Sequence, residues 1–115
     1  MDILKMSDKI AKIQRKLGRI RKKREWERFH NPKDLTINAS LEVAELLEHF
    51  RWKNEEEVKE YSKKHKEKIA EEIADITMTL INLCDVLGVD FIEALDKKVK
   101  GLVKKYPASK YKGTP

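Results

Sequence analysis

The sequence predicts an all-α fold, a four-helix bundle that assembles into an oligomer. Apolar residues recur at intervals of three and four along most of the chain, which is the period of an amphipathic helix, and no segment alternates as a half-buried strand does. Only four glycines and three prolines interrupt the 115 residues. Several predicted helices are apolar on more than one side, so we expect further copies of the chain to cover them, in a homodimer or homotetramer.

The first predicted helix runs from about Asp8 to Phe29. Residues spaced by three and four form its apolar face: Ile10, Ile13, Leu17, Ile20, Trp26 and Phe29. Its other face is basic, since residues 1–30 hold eleven Lys and Arg against four Asp and Glu, within a chain whose formal charge is +6. Such a face is either solvated or attracts a polyanion, which is nucleic acid or a nucleoside triphosphate. Aromatic residues are not interleaved with base-reading side chains there, so sequence-specific nucleic-acid binding is not indicated.

The second and third predicted helices are marked by their ends. Pro32 breaks the first helix, because proline lacks an N–H and disfavours helix at the residue before it. The second helix then runs from about Asp34 to Phe50. Asn54 is followed by three glutamates, the pattern of an N-cap with an acidic first turn, and it begins a third helix that continues to Gly88.

Residues 58–68 are almost wholly charged and predict either the exposed start of the third helix or a mobile lid. Asp90 has the pattern of an N-cap for a fourth helix, which ends at Tyr106. Residues 107–115 are predicted to form a loosely ordered tail. The length of the chain favours a single domain over residues 1–115.

Two pairs of acidic residues lie in the apolar parts of the second and third helices. Glu42 and Glu45 are three residues apart, as are Glu72 and Asp75, so each pair shares one face of its helix. Buried carboxylates need a cation, because an unpaired buried charge is very costly. Oxygen ligands without a Cys or His cluster suit Mg²⁺, or Mn²⁺ in its place. A di-iron centre is disfavoured, since such bundles use Glu-x-x-His motifs.

The remaining features indicate a cytoplasmic protein without membrane contact. The single cysteine, Cys84, excludes an internal disulfide and agrees with a reducing compartment; its apolar helical setting predicts a packed thiol rather than a nucleophile. No apolar run approaches the ~20 residues that a bilayer-spanning helix needs. The N-terminus also lacks the apolar segment of a signal peptide.

The acidic pairs, with 26 residues between them, lie within longer recognisable segments. These are REWERFHNP from Arg24, EVAELLEHFRW from Glu42, and KKYP from Lys104. In this order and at this spacing, the segments resemble those of the MazG-like, all-α nucleotide pyrophosphohydrolase superfamily, and within it the dCTP pyrophosphatase-like subgroup. The resemblance covers residues 20–112.

The resemblance implies a Mg²⁺-dependent enzyme that splits a (d)NTP between its α and β phosphates, giving (d)NMP and pyrophosphate, and so cleanses the nucleotide pool. The residues it implies for metal binding and catalysis are Glu42, Glu45, Glu72 and Asp75, one of the glutamates serving as base. For the nucleotide, it implies stacking by Trp26 and Trp52, with His30 nearby. For the pyrophosphate, it implies Lys98, Lys104 and Lys105.

Three positions depart from the subgroup. We would expect a Tyr near position 79 and a His near position 17, where this chain has Thr79 and Leu17, and an Asn at Gly101-Leu102. Cytosine preference therefore does not transfer, and we expect a looser pocket that accepts several dNTPs or modified nucleotides. The alternative interpretation is a non-catalytic helical dimer whose basic first helix binds nucleic acid or a partner protein, with the carboxylates in ordinary ion pairs.

Overall fold

The computed structural model describes the backbone of residues 3–113 and the side chains of residues 8–113. This part of the chain contains no strand, which confirms the predicted all-α fold. A 3₁₀ turn spans Glu27–Phe29, and the helices are α1 (Ile3–Lys23), α2 (Pro32–Glu48), α3 (Glu55–Lys64), α4 (Lys66–Leu87), α5 (Phe91–Lys105) and α6 (Ala108–Tyr111). None of these helices has both the length and the apolarity of a membrane span.

Helix α1 ends six residues before the predicted boundary at Phe29. Glu25 adopts the left-handed conformation, with φ of 54°, and the Trp26 N–H reaches back to the Arg21 carbonyl at 3.0 Å. This closure is a Schellman-type helix end, in which glycine is the usual left-handed residue. The sequence has a glutamate at this position instead, so it did not predict that the helix ends here. Trp26 and Phe29 consequently leave the phase of α1.

The predicted third helix is two helices, α3 and α4, that meet at His65. The backbone of His65 departs from helical geometry, with φ of −114° and ψ of 25°, and its ring stacks on Tyr61 with centroids 4.0 Å apart. The break lies in the charged run, where no continuous apolar stripe holds a single helix in register. The predicted ends are confirmed: Asn54 and Glu57 form a capping box, and Gly88 closes α4 with φ of 69°.

Helices α2 and α4 form the centre of the fold and run antiparallel. Two contacts establish their register: Thr79 bonds to Glu42 at 2.9 Å, and His49 lies 2.6 Å from Glu72. The buried apolar residues that they enclose are Leu35, Ala39 and Ile81. Pro32 is the first residue of α2, and the Asn31 side chain caps it by accepting from the Asp34 N–H at 2.9 Å. Helix α1 packs along α4 on another side.

Within the described part of the chain, helix α5 makes little contact with the other helices. Its apolar face stays at least half exposed, at 50% for Leu95 and Val99, 57% for Leu102 and 67% for Val103. The radius of gyration is 17.4 Å, against about 13 Å expected for a compact domain of this length. The four long helices of the predicted bundle are present, but one copy of the chain does not close them around a common core.

The predicted loose tail contains the short helix α6 within its described part. Pro107 has φ of −61° and ψ of 139°, and the N–H groups of Lys110 and Tyr111 bond to its carbonyl at 3.0 and 3.1 Å. Tyr111 also meets Tyr106 edge to face, with centroids 5.1 Å apart. The proline thus starts a helical turn after ending α5. Residues 114–115 of the predicted tail lie outside the described residues.

Candidate active site

A cavity of about 320 Å³ opens between α1, α2 and α4. Glu42 from α2 and Asp75 from α4 both line it, because the antiparallel packing brings these turns to the same level. Trp26 and His30, from the segment between α1 and α2, line it as well. Its apolar wall comes from Leu17, Ile20 and Met78. Four of the predicted site residues therefore share one cavity.

Glu42 has one carboxylate oxygen with a partner and one without. Its Oε1 accepts a hydrogen bond from the hydroxyl of the buried Thr79 at 2.9 Å, whereas its Oε2 is buried with no hydrogen-bond donor in the described part of the chain. A buried carboxylate oxygen without a donor is unfavourable unless a cation approaches it. This oxygen is therefore a candidate ligand for a hard metal ion.

Glu72, on the same turn of α4 as Asp75, is held by His49. The His49 Nε2 atom lies 2.6 Å from Glu72 Oε2, and its Nδ1 lies 2.6 Å from the Tyr61 hydroxyl. The Glu72 contact is at ion-pair distance, yet Oε2 still lacks a hydrogen bond of good geometry. Both side chains are shielded from water, with exposures of 12% for His49 and 16% for Glu72. One histidine thus joins α2, α3 and α4 beside the acidic pairs.

The four carboxylates do not converge as closely as the sequence predicts. Glu45 is exposed on α2, Glu42 is turned towards Thr79, and Glu72 is turned towards His49. Among residues 8–113, no three Asp, Glu, His or Cys side chains come close enough to hold a metal ion. The helices bring the acidic pairs to facing positions, while polar neighbours draw individual carboxylates apart.

Trp26 and His30 form the aromatic side of the cavity. Their ring centroids are 6.3 Å apart, and Trp26 remains 44% exposed, so its face is accessible to a flat ligand. Burial lowers the pKa of His30, and the positive charge of Arg21 lowers that pKa further. His30 is therefore neutral at pH 7, and its Nδ1 is buried without a hydrogen-bond partner in the described residues.

The sequence did not predict a polar network between α1 and α4, two of whose members, Arg21 and Asn82, line the cavity. Arg21 donates to Asn82 Oδ1 at 3.1 Å and forms an ion pair with Asp85, which also accepts from Gln14 at 3.2 Å. The hydrogen bond from Arg21 holds the pKa of Asp85 below its usual range. A signal was present, because Gln14 and Arg21 are seven residues apart, on the apolar face that includes Leu17, and Asn82 lies within the apolar stripe of α4.

The other predicted nucleotide contacts lie away from this cavity in the single chain. Trp52 is 85% exposed, and the Arg51 guanidinium lies 4.5 Å from its ring centroid. Lys98 and Lys105 line a separate groove of about 510 Å³ along α5, and Lys104 is exposed on the same helix.

Cys84 is partly buried, and this burial raises the pKa of its thiol. The thiol therefore stays protonated, which agrees with a packing role rather than with that of a nucleophile.

Comparison with known proteins gives consistent matches. A family model described as the MazG-like family matches residues 37–114. The dCTP pyrophosphatase 1 of Bos taurus is 33% identical over 93 residues, which are 79% of this chain and 55% of that protein. The Homo sapiens dCTP pyrophosphatase 1 is 33% identical over 87 residues, 74% of this chain and 51% of that one. The chain thus spans about half the length of these relatives.

One solved structure resembles this chain over most of the length of both chains. It is the crystal structure of a pyrophosphatase from Archaeoglobus fulgidus, with a TM-score of 0.79 and 39% sequence identity. The match covers 84% of this chain and 91% of that one. Similarity at this level extends to the sequence as well as to the arrangement of helices.

Proposed function

Because the chain belongs to the MazG-like family, we propose that it is a nucleotide pyrophosphohydrolase that cleaves a (d)NTP to a (d)NMP and pyrophosphate. Water attacks the α-phosphorus, the bond from that phosphorus to the bridging oxygen breaks, and pyrophosphate leaves with the electron pair. The proton of the water passes to a carboxylate that acts as general base. The enzyme would act on the cytoplasmic nucleotide pool and remove unwanted or damaged nucleotides.

One observation carries this proposal: acidic side chains of two facing helices share a cavity with an aromatic pair. Glu42 and Asp75 supply the charge, and Trp26 and His30 supply the flat surface. A nucleotide needs both features side by side. Its phosphates need groups that bind a cation, and its base needs a flat surface on which to stack. In the alternative interpretation, a non-catalytic helical dimer, the carboxylates would form ordinary ion pairs. The buried Glu42 Oε2 would then be expected to have a donor, and it has none among the described residues.

The donor set fits Mg²⁺, with Mn²⁺ as the closest substitute. Glu42 Oε2 is buried without a donor, and the contact of His49 with Glu72 leaves Oε2 of that residue without a well-aligned hydrogen bond. All the candidate ligands are carboxylates, which such hard ions prefer. We assign the ion to Glu42, Glu45, Glu72 and Asp75. When bound, the ion would supply positive charge that offsets the negative charge of the phosphates.

The base and the pyrophosphate would be held by two groups of residues, one that lines the cavity in a single chain and one that lies outside it. Trp26 would stack on the base, and the neutral His30 would offer one donor and one acceptor without repelling a nearby cation. Trp52, Lys98, Lys104 and Lys105 would join the site only from a second copy of the chain or after a movement. A homodimer or homotetramer would supply that copy and would cover the exposed face of α5.

The test is pyrophosphate release from a panel of canonical and modified dNTPs and NTPs, with Mg²⁺ and with EDTA. Glu42→Gln, Glu45→Ala and Asp75→Asn should each lower release by about 100-fold or more, because they remove proposed ligands. Glu71→Gln is the matched control, since Glu71 is an exposed acidic residue of α4 that pairs with the exposed Lys68. Absence of release from every nucleotide would overturn the proposal.

A further inference from the structure

Asn82 lies on the wall of the cavity that Trp26 and His30 also line. Its Oδ1 accepts a hydrogen bond from Arg21 Nη1 at 3.1 Å. An arginine side chain can only donate hydrogen bonds, so the atom of the amide that faces it must be the oxygen. The amide of Asn82 is therefore fixed in one of its two orientations, with the NH₂ group directed away from the guanidinium.

The guanidinium of Arg21 is itself held in place. Its Nη2 bonds to Asp85 Oδ2, while Gln14 donates to Asp85 Oδ1 at 3.2 Å. The Arg21 side chain is only 12% exposed, so water competes weakly for these bonds. The orientation of Asn82 therefore rests on a network that spans α1 and α4 rather than on a single contact.

The NH₂ group of Asn82 has no acceptor among the described residues. The group is not fully buried, since the buried polar atoms that lack partners are His30 Nδ1, Glu42 Oε2 and Glu72 Oε2 within the described part of the chain, and Asn82 itself lines the cavity. It therefore needs an acceptor from water or from a ligand in the cavity. A carbonyl oxygen of a nucleobase is such an acceptor, whereas an exocyclic amino group would oppose donor to donor.

We infer that Asn82, oriented by Arg21, selects nucleotides whose base carries a carbonyl oxygen rather than an amino group at pyrimidine position 4 or purine position 6. This inference rests on the proposed function and names its substrate class. Uracil, thymine, guanine and hypoxanthine belong to the favoured class, and cytosine and adenine to the disfavoured one.

Two substrate pairs exchange the carbonyl oxygen for an amino group, and with it the N–H of the adjacent ring nitrogen for a lone pair: dUTP against dCTP, and dITP against dATP. The expected kcat/KM ratio favours the carbonyl member of each pair by about tenfold to 100-fold, the usual effect of leaving a donor without an acceptor once the bound base shields it from water. Asn82→Asp replaces the NH₂ group by an oxygen of nearly the same shape. Arg21 can hold one carboxylate oxygen while the other accepts from an amino group, so both ratios should fall or reverse. Asn38→Asp, at an exposed position of α2, is the matched control.

Equal kcat/KM values within both pairs for the unaltered protein overturn the inference while leaving pyrophosphate release intact. The inference is also overturned if Asn82→Asp has the same two kcat/KM ratios as the unaltered protein, provided that circular dichroism shows the variant folded. If the variant does not fold, the ratios of the unaltered protein decide. If no nucleotide is hydrolysed, the proposed function fails, but the inference on base selection can still be tested. Calorimetric affinities for dUMP, dCMP, dIMP and dAMP then show whether the cavity prefers a carbonyl oxygen to an amino group.

Discussion

His49 places its Nε2 atom 2.6 Å from Glu72 Oε2, while its Nδ1 lies 2.6 Å from the Tyr61 hydroxyl. The three residues come from α2, α4 and α3, so one imidazole ties the three helices together beside the acidic pairs. It also fixes α3 over the turn of α4 that carries Glu72. The position of that carboxylate therefore depends on a residue that belongs to neither acidic pair.

His49→Ala should lower the free energy of unfolding by about 2–3 kcal/mol, because it leaves the shielded Glu72 carboxylate and the Tyr61 hydroxyl without their partner. Tyr61→Phe is the matched control, since it removes one hydrogen bond and keeps the contact with Glu72; its expected cost is about 1 kcal/mol. Urea unfolding without metal measures both values. Equal stability of His49→Ala and the unaltered protein would show that this contact does not stabilise the fold.

Glu42→Gln should separate stability from activity. The buried Oε2 lacks a donor, so replacing the charged side chain by a neutral one of the same shape should leave the free energy of unfolding unchanged or raise it by up to about 1 kcal/mol. Mg²⁺ should raise the midpoint of thermal unfolding of the unaltered protein and not of the variant, because a ligand stabilises only the state that binds it. Scanning calorimetry with and without Mg²⁺ measures both effects, with Glu71→Gln as control. A clear loss of stability without metal would contradict the prediction.

The sequence was most informative where a local pattern has one structural meaning. The acidic pairs and the caps at Asn54 and Gly88 follow from side-chain spacing alone, so the helices and the facing carboxylates were predictable. The stop of α1 at Glu25 and the break at His65 were not, because no glycine or proline marks either one. The network around Arg21 depends on which turn of α1 meets which turn of α4, and a single sequence does not contain that register.

His30 provides a prediction on pH. Burial and the charge of Arg21 lower its pKa in the folded protein below the ordinary value of 6.5, while the unfolded chain keeps that value. The unfolded state therefore binds more protons as the pH falls below about 6.5, and the folded state loses stability over the window down to the lowered pKa. His30→Asn should flatten the dependence of unfolding free energy on pH in this window. An imidazole titration by NMR that gives His30 a pKa of 6.5 or higher would refute the assignment.

Helix α5 should be the main site of self-association. Leu95, Val99, Leu102 and Val103 form an apolar face that the rest of the chain leaves at least half exposed, and burying each such side chain stabilises an assembly by about 1.5–3 kcal/mol. Leu102→Lys places a charge in that face and should shift the protein towards the monomer, whereas Lys100→Glu, at an exposed position of α5, should change the assembly little. Sedimentation equilibrium measures both. If the proposed site also draws Lys98 and Lys105 from a second copy, Leu102→Lys should lower pyrophosphate release as the fraction of monomer rises. A monomeric unaltered protein that releases pyrophosphate would show that one chain suffices and that α5 has another role.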